Sequence, residues 1–261
     1  MRLSLRSGKN YPPIEIQLEN GKKLEIEGKI DRADFAKTPE GNYLRIIDYK
    51  SSVKNLDLNE IEYGLQLQLF TYLDAMCKQE DFLPAGVLYF SLIDPIIKAD
   101  QRMTKEEIAE EIRKRFKMQG FVLADVKIIK MMDQTIESGS SNRVPVYLDK
   151  EGNISPSRSN CLTKEQFQIL QRHIEKTIQK IGMEMTQGKI QPNPYYQLKD
   201  QKTPCKYCPY HGICQIDDNF GQITYRYIPN QKKEVILEKL AGERKEESYE
   251  NKWCQRTYLP Y

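Results

Sequence analysis

Three strand-like runs within the first fifty residues commit that part of the chain to an antiparallel sheet. From Ile14 to Glu19, and again from Leu24 to Ile30, apolar residues alternate with charged ones, the period that puts one face on a core and the other in water. "ENGK" at 19–22 supplies a hairpin turn between them, and "TPEG" at 38–41 supplies a second. The run "NYLRIIDYK" then reads as the third strand of a meander ending at residue 50. Its tip is unusual. Asp48 and Lys50 stand two apart and so share the face of Leu44 and Ile46, while Tyr49 points to the other side.

Helices follow the sheet. Asp57 with Glu60 forms a capping-box pattern that predicts a helix over 58–79, with a stripe of Ile61, Leu65, Leu69, Tyr72 and Met76. "AGVLYFSLI" at 85–93 returns as a buried strand, and Thr104 with Glu107 opens a charged helix that Gly120 should end. Residues 133–160 read as loops around one short strand, "VPVYL". Thr163 and Gln166 begin a long helix whose stripe, Phe167, Leu170, Ile174, Ile178, Ile181 and Met185, keeps its period to Gly188. The last thirty residues are charged and weakly patterned.

Composition narrows the function. The 261 residues suffice for a large core, and the charged residues, 30% of the chain, nearly cancel to a net +3, so any basic groove must be local. The first ten residues contain no apolar signal segment, and residues 85–93 are too short to span a bilayer. No GxxxxGK[ST] or GxGxxG loop occurs, and the two histidines, His173 and His211, lie in no nucleophile motif, which argues against a Ser/His/Asp hydrolase. Six cysteines are too sparse for a disulfide framework; with three of them inside ten residues, the pattern reads as metal or cluster binding in a reducing compartment, the cytoplasm.

The charged strand tip is the centre of the functional reading. Asp31, in "GKIDRAD", lies near the end of the preceding strand, so a meander brings its carboxylate beside that of Asp48, with the Lys50 ammonium close by. Two carboxylates in proximity repel unless a cation lies between them, and Mg2+ or Mn2+ prefers such hard oxygen ligands. A lysine beside such a site can orient the attacking water and offset charge in a phosphoryl-transfer transition state. The competing reading is a surface ion pair. Gln68 and Tyr72, four apart on the next helix, could aim an amide and a phenol at the same place, or be a satisfied buried pair.

"GKIDRAD", "IIDYKSS" and "QLFTY", in that order, resemble the core motifs of the PD-(D/E)XK nuclease superfamily, in its RecB-like branch with a Q-x3-Y motif. Over residues 11–230 the chain is similar to the C-terminal nuclease region of the B subunits of bacterial AddAB helicase-nucleases. The resemblance implies an α/β, restriction-endonuclease-like core with a central mixed sheet flanked by helices. It divides the chain into a nuclease core over 1–190, a cysteine-rich segment over 191–230 and a charged tail over 231–261. It also implies a Mg-dependent deoxyribonuclease that cuts single-stranded DNA during double-strand break repair, alongside an AddA-type helicase-nuclease partner. Asp31 and Asp48 would hold the metal with the Tyr49 carbonyl, Lys50 would be the catalytic lysine, and Gln68 and Tyr72 the auxiliary motif. The upstream helix that supplies a His or Glu ligand in such nucleases is missing from this chain, which implies a fragment of a longer protein. The alternative is a catalytically incomplete module that binds DNA or docks a partner.

Cys205, Cys208 and Cys214 form a C-x2-C-x5-C array that can wrap iron-sulfur or zinc, and His211 would complete a zinc set in composition. The resemblance implies a [4Fe-4S] cluster whose fourth thiolate comes from far upstream. Cys77, Cys161 and Cys254 do not occupy that position, so the cluster is expected to be incomplete here.

Overall fold

The computed structural model describes residues 3–5, 11–93, 102–214, 216 and 225–242. In chain order the first six strands are β1 (Leu3–Leu5), β2 (Ile14–Gln17), β3 (Lys23–Ile26), β4 (Gly28–Ile30), β5 (Arg32–Thr38) and β6 (Gly41–Lys50). Helices α1 (Leu58–Glu62) and α2 (Gln68–Glu80) lead to β7 (Phe82–Ser91), then α3 (Lys105–Arg115), β8 (Gln119–Leu123) and α4 (Val126–Met132). Two-residue strands β9 (Gly139–Ser140), β10 (Tyr147–Leu148) and β11 (Cys161–Leu162) precede the long α5 (Lys164–Thr186). The chain closes with β12 (Tyr195–Gln197), α6 (His211–Cys214), β13 (Arg226–Ile228) and α7 (Lys233–Gly242).

The central sheet is mixed, in the order β11-β8-β7-β6-β5. β5 and β6 form an antiparallel hairpin, while β7 lies parallel to β6 because α1 and α2 carry the chain back across one face. Alternation along β6 divides its side chains between two cores. Leu44 and Ile46 join α2, α5 and α7 in the larger core, where Phe70 and Phe167 meet at 6.1 Å between ring centroids. Ile47 points the other way, into a smaller core with Leu88, Val122, Ile129, Val144 and Val146. Helices thus flank the sheet as expected. Among the described residues no helix is long and apolar enough to cross a membrane.

Several elements depart from expectation. β2 and β3 pair through the predicted turn but form a separate ribbon, and β4 pairs with β1. The true hairpin partner of β6 is β5, whose residues RADFAKT are too polar to read as a strand; it lies at the sheet edge, where charge is tolerated. The helix expected over 58–79 is broken between Glu62 and Gln68, because Gly64 (φ 81°) and Gln66 (φ 51°) take left-handed conformations. Asp57 does cap α1, but Glu60 accepts from Gln197 Nε2 at 2.8 Å instead of completing the capping box. The capping boxes predicted at Thr104 and Thr163 both form.

Gly120 does not end α3, which stops at Arg115; it lies inside β8 at φ 146°, where an added Cβ would be driven into the Val87 carbonyl. α4 was missed because seven residues carry too little periodicity, although Asp125 caps it by accepting from Lys127 N and Ile128 N. Nor is the C-terminal stretch only a tail: α7 buries Ile236, Leu237 and Leu240 in the larger core. Residues 243–261, including Cys254, lie outside the described residues.

Candidate active site

Strand pairing assembles the site. The β5–β6 ladder ends at Arg32 opposite Ile47, so one further step in the same register sets Asp31 across from Asp48. There the backbone pairing gives way to a side chain, for Asp31 Oδ2 accepts from Tyr49 N at 3.2 Å. The N–H and C=O of a strand residue point to the same side. Lys50 O accepts from Leu92 N on the β7 side, which leaves the Tyr49 carbonyl facing the side of Asp31.

Asp48 and Lys50 share a face as the two-residue spacing requires, with Lys50 Nζ 2.6 Å from Asp48 Oδ2. Asp48 is buried at 7% exposure, and Oδ2 accepts no hydrogen bond of good geometry, although the ammonium lies close. A buried carboxylate oxygen held only by an ion pair is what a site for a further cation would present. The two carboxylates and the Tyr49 carbonyl are hard oxygen donors of the kind that suit Mg2+ or Mn2+.

The same face carries α2. Gln68 Nε2 donates to Tyr72 Oη at 3.2 Å, so the predicted amide and phenol stand together. Gly28 makes room for the phenol, since a Cβ at that position would collide with the Tyr72 ring and hydroxyl. Tyr89 also belongs to this site. It lies beside Asp48 in the parallel β6–β7 register, and its ring sits 5.4 Å below Lys50 Nζ as a cation–π support. Burial first, then the charges of Asp48 and Glu60, push the Tyr89 phenol up to about 12, so it stays neutral at physiological pH. Sequence reasoning missed Tyr89 and Gly28. The tyrosine is one apolar-run residue among nine until the parallel register is known, and glycine has no side chain to signal contact.

The chain matches the PD-(D/E)XK nuclease superfamily over residues 2–215. It belongs to that superfamily. Curated relatives are named as the B subunits of ATP-dependent helicase/deoxyribonucleases. The one from Bacillus licheniformis is 45% identical over 238 residues, 89% of this chain and 20% of the relative. Those from Acetivibrio thermocellus and Bacillus subtilis are 42% and 41% identical, over 90% and 89% of this chain and 21% and 20% of the relative. This PD-(D/E)XK chain therefore spans about a fifth of the length of the curated relatives it matches.

The cysteine segment of this PD-(D/E)XK chain is another matter. Cys205 is buried in a 3-10 turn over Pro204–Tyr207, and Cys208 and Cys214 are half-buried nearby. Among the described residues no three His, Cys, Asp or Glu side chains stand together as a metal-holding group. The three thiols share a short stretch of chain without sharing a ligand shell, so the site does not fit a cluster as it stands. Cys77 and Cys161 are packed thiols, pushed by burial to about 12 and about 11. His173 serves structure, its Nε2 lying 3.1 Å from the Glu62 carbonyl.

Proposed function

We propose that this chain is the metal-dependent deoxyribonuclease domain of a helicase-nuclease complex, hydrolysing phosphodiester bonds of single-stranded DNA as an exonuclease in double-strand break repair and recombination. The observation that carries this reading is the convergence of Asp31, Asp48 and Lys50 at one sheet end, with Asp31 tied to the Tyr49 amide and Asp48 Oδ2 left without an aligned hydrogen bond. Asp31, Asp48 and the Tyr49 carbonyl would hold Mg2+ or Mn2+, which supplies charge neutralisation at the phosphate and a more acidic water. Lys50, steadied over Tyr89, places an ammonium beside the reacting phosphate and offsets the charge that grows there. Gln68 and Tyr72 offer an amide and a hydroxyl to the DNA backbone, positioning it without reading sequence. A partner helicase of the AddA type would deliver the strand, in the cytoplasm. The [4Fe-4S] cluster that the resemblance implies would require Cys205, Cys208 and Cys214 to be drawn together around one centre with a fourth thiolate, an arrangement they do not have here; these cysteines carry no step of the chemistry.

Cleavage of a labelled single-stranded oligonucleotide in Mg2+ or Mn2+ tests the reading. Asp48→Ala should abolish cleavage while leaving the circular dichroism spectrum unchanged, and a variant that cuts as fast as the parent sinks the assignment. A second reading, a DNA-binding or scaffolding module without activity, is favoured by the presence of only two converging carboxylates among the described residues. Metal-independent DNA binding by a parent chain that cuts nothing would select it.

A further inference from the structure

Behind the sheet, on the face opposite Asp48, lies an open groove of about 560 Å³. Its basic wall is Arg32, Arg45, Arg113 and Arg143, and its aromatic wall is Tyr49, Phe90 and Phe116. No carboxylate lines it among the described residues. Phe90 and Phe116 stack nearly parallel, 7° apart with centroids at 5.8 Å, and Tyr49 meets Phe90 edge-on. The arginines are only partly neutralised. Arg32 and Arg45 share the single carboxylate of Asp34, and Arg143 stands 3.8 Å from Asp133, whose carboxylate already accepts from Thr135 and Ser141. Arg113 is exposed and makes no ion pair among the described residues, and Arg45 Nη1 is a buried donor without an acceptor.

Guanidiniums in excess beside aromatic faces fit a ligand that has both anionic oxygens and flat rings. We infer that this groove is a second single-strand binding site, taking bases of a DNA strand against Tyr49, Phe90 and Phe116 and its phosphates on the arginines. The volume admits one or two nucleotides, and a phosphate oxygen on Arg45 Nη1 would satisfy the orphan donor. Tyr49 joins the two sites. Its backbone belongs to the carboxylate site while its ring walls the groove, so a strand passing the tip of β6 reaches both. This assignment deepens the nuclease reading by placing substrate beyond the scissile phosphate, and it rests on that reading for its choice of DNA.

The test is equilibrium binding of fluorescein-labelled dT12 to the full chain in EDTA, where cleavage cannot intervene. Phe116→Leu keeps apolar volume but removes the ring, and should weaken binding about tenfold. Arg113→Ala, at an exposed residue without an ion pair among the described residues, should lower the slope of log affinity against log salt by about 0.7, one phosphate contact on a single strand. Unchanged affinity in Phe116→Leu together with an unchanged salt slope in Arg113→Ala overturns the groove assignment. A parent chain that binds dT12 through these residues yet never cuts DNA in Mg2+ or Mn2+ instead overturns the nuclease reading and leaves the groove standing.

Discussion

Asp34 shows how one charged residue is held by the fold. Burial alone would raise its carboxyl, but hydrogen bonds from Arg32 Nε at 2.8 Å and Arg45 Nε at 2.9 Å outweigh that and hold it below the ordinary value of 3.8. A carboxyl lowered on folding stabilises the protein fully above its unfolded value and loses that contribution as pH falls through the folded one. Asp34→Asn should therefore cost about 1–2 kcal/mol at pH 7, and the gap between variant and parent should narrow as pH falls below the ordinary carboxylate value. Urea denaturation at steps from pH 7 down to pH 2 checks this; a gap that stays constant over the whole range contradicts it. At the same scale the shared face of Asp48 and Lys50 was legible because strand alternation fixes which side chains of one strand point the same way. Gly28, Gly120 and Tyr89 were not, because their roles are close approaches to residues remote in sequence: Tyr72, Val87 and Lys50.

Elements with strong local signals read well, and those that depend on neighbours did not. α5 has a capping box and six turns of periodicity, so its start could be placed to the residue. α7 carries the opposite lesson. Its charged residues suggested a tail, yet Ile236 and Leu240 are 1% and 7% exposed against α1 and α5. Ile236→Ala should cost about 2–4 kcal/mol in urea denaturation, the range for truncating a buried aliphatic side chain, whereas Glu238→Ala on the exposed face should cost almost nothing. Equal, negligible costs would restore the tail. β5 was hidden for a related reason: an edge strand needs little apolar surface of its own, so Arg32, Asp34 and Lys37 mask its period.

At the scale of the molecule, one sheet serves two cores. The larger core and the smaller one meet across β6, β7 and β8, which lend alternate side chains to each. Weakening one face should therefore loosen the whole sheet. Phe167→Ala, a loss of about 3–5 kcal/mol in the larger core, should speed amide exchange of Leu88 and Val122, whose side chains face the smaller core, by roughly the same factor as that of Leu170. Fast exchange at Leu170 alone would mean that the faces unfold separately. The sequence by itself determined the alternation of β6, the shared face of Asp48 and Lys50, the ordered motifs and the capped helices, because each depends on residues within a few positions of one another. Only the tertiary structure decided that β5 pairs with β6, that β7 returns parallel and sets Tyr89 under Lys50, and that four arginines line a groove on the far side of β6. Those outcomes depend on register between distant segments, and register is set by the packing of whole faces rather than by local preference.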